Sequence, residues 1–103
     1  MSPPPGWQNP IFAAAGQVQR NVEARLLLPS RRDLLKVRLA YQRALIQSGQ
    51  RRMSPIQVTL GGVIFDGHHA VRVAAEQGGN IDVLVIDQEV PPAGSYILDL
   101  PVR

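Results

Sequence analysis

Residues 56–87, IQVTLGGVIFDGHHAVRVAAEQGGNIDVLVID, change hydrophobic period twice, and glycine marks the changes. Ile56, Val58 and Leu60 alternate with Gln57 and Thr59, a period of two that fits a strand. Gly61-Gly62 supplies the positive φ of a tight primed turn, and Val63-Ile64-Phe65 returns. Asp66 ends that strand and is placed to cap the next helix by accepting an N–H from its first turn. Val71, Ala74 and Ala75 then form an apolar stripe on a helix over residues 67–77, which Gly78-Gly79 stops. Ile81, Val83 and Val85 on one side, with Leu84 and Ile86 on the other, predict a central strand buried on both faces.

The flanking residues add one more helix and several shorter segments. At 103 residues the chain makes one small domain. Residues 1–10 read as a Pro- and Gly-rich linker with Trp7 as its one large apolar anchor, and residues 11–103 as the domain. Residues 11–19 suggest a short helix that Gly16 weakens. Residues 21–28 are open between helix and strand, and the alternation of Val22, Ala24 and Leu26 with Glu23 and Arg25 favours a strand. After the break at Pro29, Ser30 stands three residues before Asp33, a variant of the capping box. Leu34, Val37, Tyr41, Ala44 and Leu45 then predict the apolar face of a helix over residues 30–48, closed by Gly49. Residues 91–94 read as a loop and residues 95–100 as an edge strand. The expected fold is α+β: a small mixed β-sheet with two main helices.

The absence of cysteine excludes disulfides and thiolate–zinc sites. No apolar run approaches the roughly 20 residues needed to span a bilayer, so no membrane partner is expected, and no signal peptide is visible. The net charge of +3 conceals a split. Residues 1–52 carry nine basic groups against Glu23 and Asp33; residues 53–103 carry Arg72 and Arg103 against six acids. Such a half invites a polyanion, or the two halves simply attract each other on folding. Arg31, Arg32, Lys36, Arg38 and Arg43, followed by Arg51-Arg52, could track phosphates; the plain reading is the wet side of an amphipathic helix. Tyr41 falls on that helix's apolar face, so base stacking is not expected.

The chemistry concentrates where the second strand meets the helix. A helix N-terminus exposes unpaired N–H groups at the positive end of the dipole, a ready anion site, and Gly67 lets an anion approach the backbone. The dipole disfavours protonation of His68 and His69, which predicts lowered pKa values and neutral rings that can act as general base or metal ligand. Arg72, one turn on, can clamp a phosphate. The plain readings are an N-cap for Asp66, structural or solvent-facing histidines, and an ion pair with Glu76 for Arg72. Asp66 with His68 could hold a divalent metal, but no third ligand is spaced for it.

The same stretch resembles the ParB/sulfiredoxin-like superfamily in the order strand, turn, strand, Asp66-Gly67-His68-His69, Arg72, Ala74-Ala75, Gly78 and the strand over residues 81–86. The DGHH form looks most like the ParB-like domains at the C-termini of bacterial polymorphic toxins. The resemblance implies a junction that binds nucleotide phosphates, with Gly67 as the approach glycine, His68 in the place of the reactive residue and Arg72 as a phosphate-binding arginine. Ala70 stands where many members carry another arginine, and sulfiredoxin chemistry is excluded for want of a cysteine. The implied function is a toxin-type catalytic domain acting on nucleic acid or a nucleotide. In it His68 or His69 is general base, Asp66 orients a histidine or water or holds a metal, and Gly67 and Arg72 stabilise phosphate charge. Arg31, Arg32 and Arg38 then steer the polyanion. A cognate immunity protein would be its partner and the target-cell cytoplasm its destination; a cytoplasmic location is otherwise expected. The alternatives are a kinase or NTPase with ATP or CTP bound, and a non-catalytic module that binds nucleic acid or protein.

Overall fold

The computed structural model describes residues 11–49, 55–93 and 96–103. The linker with Trp7, and Arg51-Arg52, lie outside the described residues. Four strands, β1 (Val18–Glu23), β2 (Ile56–Thr59), β3 (Ile64–Asp66) and β4 (Asn80–Ile86), form one mixed sheet in the order β1-β4-β2-β3. β4 runs antiparallel to β1 and parallel to β2, while β2 and β3 form an antiparallel hairpin. With the helices α1 (Lys36–Gln47) and α2 (His68–Glu76) this is the expected α+β architecture.

The hydrophobic pattern sets the packing. The parallel register places Ile56 beside Val83 and Val58 beside Val85, and all four are buried. α2 packs on β2 and β4 and buries Val71, Val73 and Ala75. Leu84 and Ile86, on the reverse side of β4, are only half-buried. β4 is therefore interior in the sheet, but its two faces are not equally covered. Gly62 takes the positive φ that closes the hairpin, with Thr59 donating its N–H to Val63.

Four expectations are corrected. Residues 11–16 form no helix: Gly16 donates to the Val85 carbonyl at 2.7 Å and Val85 donates to that of Gln17, which lengthens the β1–β4 ladder. The buried alternation of Val22, Ala24 and Leu26 is real, but β1 ends at Glu23 and the chain tightens into a 3-10 turn, Ala24–Leu26. A bulge falls between Gln19 and Val22, where Asn21 sits at φ 59°. Its N–H donates to the Asp82 carboxylate.

The main helix starts at Lys36, not at Ser30. Residues 30–35 form no helix because their hydrogen bonds go elsewhere: Leu34 exchanges backbone bonds with Pro101 and Arg103, and Ser30 bonds to Ile64 and His68. This start rotates the helix. Leu39 is the one buried residue of α1, whereas Val37 and Tyr41, expected inside, are 75% and 62% exposed. At the C-terminus, Ile97–Asp99 is a 3-10 turn rather than a strand, and Ile97 and Leu100 fill the core.

Candidate anion-binding cleft

The β3–α2 corner turns at Gly67, whose φ of 100° lies in the left-handed region. Gly67 itself, which has no side chain to offer, is the N-cap of α2. Asp66 is the exposed end of β3, one residue before the cap position.

His68 and His69 follow at once, each 8% exposed. His68 Nε2 accepts the Ser30 N–H at 3.0 Å. The Ser30 hydroxyl lies 3.2 Å from the same nitrogen and donates its proton to the Ile64 carbonyl at 2.6 Å. His69 Nε2 accepts the Leu35 N–H at 3.0 Å. A ring nitrogen that accepts is unprotonated, so each neutral ring carries its proton on Nδ1. Burial, then the charge of Arg31, lowers the His68 pKa to about 4, with His69 adding to the fall and Asp66 opposing it. His69 is lowered by burial, then by Arg31 and Arg38. The expected direction is found, but burial is the leading cause rather than the helix dipole.

This geometry corrects the general-base role. The Nε2 lone pairs that would take a proton are already committed to backbone N–H groups, and a ring with a pKa near 4 is a weak base at neutral pH. The two histidines instead latch the segment before α1 onto the start of α2.

Arg72 does not reach the corner. Its Nη1 donates to the carbonyls of Ile97 at 3.1 Å and Leu100 at 2.9 Å, and its Nε to Glu76 at 3.1 Å. Arg43 of α1 meets the same carboxylate at 2.8 and 3.1 Å. Burial raises the Glu76 pKa, but the hydrogen bonds and charges of Arg43 and Arg72 outweigh it, and the net shift is downward. The expected phosphate clamp is thus a brace between the two helices and the C-terminal turn.

Two other arginines line the corner. A cleft of about 470 Å³ is lined by Asp66, Gly67, His68 and His69 from the corner and by Arg31, Val37, Arg38, Tyr41 and Gln42 from the opposite wall. Arg31 is steadied by the Asp33 carbonyl, which accepts from its Nε at 2.6 Å. The Asp33 carboxylate lies 3.6 Å from Arg31 and 2.8 Å from Arg103, so two guanidinium groups share one acid. Arg32 is exposed and outside the cleft wall. A larger hollow of about 740 Å³ near the β2–β3 turn is flanked by Asp87 and Glu89 and contains neither a histidine nor an arginine.

A metal does not fit. Among the described residues no three His, Asp or Glu side chains gather to hold one. Asp66 is the one carboxylate on the cleft wall, and the accepting nitrogens of both rings are engaged.

Tyr41 and Gln42 are wall residues that the sequence reading does not single out. Their signal was present: positions 37, 38, 41 and 42 form one helical stripe, i, i+1, i+4 and i+5, but α1 was assigned a different buried face. No protein-family model, no curated protein and no solved structure matches this chain, so the cleft is read from its own chemistry.

Proposed function

We propose that the chain is a phosphate-recognition domain of the ParB/sulfiredoxin-like kind, as at the ends of bacterial polymorphic toxins, with nucleic acid or a nucleotide as its ligand. One observation carries the reading. Arg31 and Arg38 face the start of α2 across a single cleft, while Arg43 and Arg72 are spent on Glu76. Arg31, which shares Asp33 with Arg103, and Arg38, beside a helix N-terminus and a left-handed glycine, suit an oxyanion.

The binding form of this reading is favoured over the hydrolytic form, because both histidine acceptors are engaged. In a toxin-type hydrolase, Asp66 is the cleft carboxylate able to orient a water. An acidic immunity partner would suit the basic wall.

Fluorescence anisotropy with labelled nucleic acid, and titration with ATP and CTP, test the binding. Arg31→Ala with Arg38→Ala should weaken binding at least tenfold and reduce its salt dependence. Affinity unchanged by that pair, or no binding at low salt, overturns the proposal. Induced expression in bacteria separates the two forms: growth arrest abolished by Asp66→Asn supports hydrolysis, and full arrest by that variant removes it.

A further inference from the structure

The cleft has one wall that phosphate recognition does not explain. Tyr41 is 62% exposed and Val37 75% exposed, although both are apolar side chains of a helix that packs against the rest of the domain. Both line the same cleft as Arg31 and Arg38, with the half-buried Gln42 beside them. A phosphate has no use for an aromatic ring or an isopropyl group. An unpaired nucleobase has: its flat face stacks on a tyrosine, and its polar edge can meet a carboxamide.

Resting on the phosphate reading above, we infer that Tyr41 is a stacking platform for an unpaired base of single-stranded nucleic acid whose phosphate lies against Arg31 and Arg38. A base inside a duplex is stacked on its neighbours and cannot reach such a platform. A strand fits better than a free nucleotide. Arg31 and Arg38 on one cleft wall, in a chain of net charge +3, draw a polyanion more strongly than one isolated phosphate group. The surroundings of Tyr41 therefore reverse the expectation that the basic helix lacks a stacking residue.

The test uses short labelled oligothymidylate, the same oligomer made abasic, and a duplex of equal length. The wild-type chain should prefer the base-bearing single strand. Tyr41→Ala should weaken that binding about ten- to a hundredfold and leave abasic binding unchanged, while Tyr41→Trp restores it. Because Tyr41 is mostly exposed, the variants should melt with the wild type. Equal affinity for base-bearing and abasic strands, or for duplex, overturns the stacking inference, as does full competition by thymidine monophosphate at the strand's own concentration. If the arginine pair still matters in those cases, the phosphate reading survives alone. If no probe binds, both fall.

Discussion

The Nε2 atoms of His68 and His69 hold two backbone N–H groups that would otherwise sit unpaired in a partly buried segment. This arrangement ties stability to pH in a definite direction. Above the ordinary histidine pKa of 6.5, folded and unfolded chains are both neutral at these rings and the contribution is complete. As pH falls from 6.5 toward about 4, the unfolded chain takes up a proton that folded His68 refuses, so stability declines across that window. At about 1.4 kcal/mol per pKa unit the loss is on the order of 3 kcal/mol. Urea midpoints measured against pH should show the decline, and His68→Gln, which keeps an acceptor for Ser30, should flatten it. Arg72 offers the contrasting case. Arg72→Ala removes two bonds to buried-turn carbonyls and one to Glu76, and should cost about 2–3 kcal/mol while leaving ligand affinity intact. Reduced affinity at unchanged stability would refute the bracing role.

At the scale of elements, α1 is held by little apolar burial. Leu39→Ala should cost about 2–5 kcal/mol, whereas Val37→Lys should fall within about 0.5 kcal/mol of the wild type in a thermal melt. The reverse order would restore the face expected from the sequence. That misassignment shows where the sequence was legible. The hairpin, the glycine-opened corner, α2 and β4 follow from short-range patterning, and glycines mark their limits at φ 81°, 100° and 67° for Gly62, Gly67 and Gly78. The start of α1 does not, because long-range bonds to His68, His69, Pro101 and Arg103 keep residues 30–35 out of the helix against a local capping signal. The same holds for the site. Gly67, His68 and His69 were legible as a corner; Arg31 and Arg38 were legible as cations but not as its opposite wall. Arg72 went astray because its partners, the Ile97 and Leu100 carbonyls, are backbone groups 25 and 28 residues away.

For the whole molecule, the response to salt tests the proposed binding. Binding through Arg31 and Arg38 should follow salt, with log K falling linearly in log salt and each arginine removed reducing the slope by about 0.7 for a single strand. A slope that does not change would place the contact elsewhere on the surface. No helix among the described residues is long and apolar enough to cross a membrane. The sheet itself ends in two different ways. On the β3 side, Leu28 bonds to Gly62 and Ile64 and occupies the outer rim. On the β1 side, the bulge and the left-handed Asn21 break the row of outward groups. A neighbouring polypeptide would find neither border flat enough to zip onto, which disfavours edge-to-edge growth of copies into fibrils.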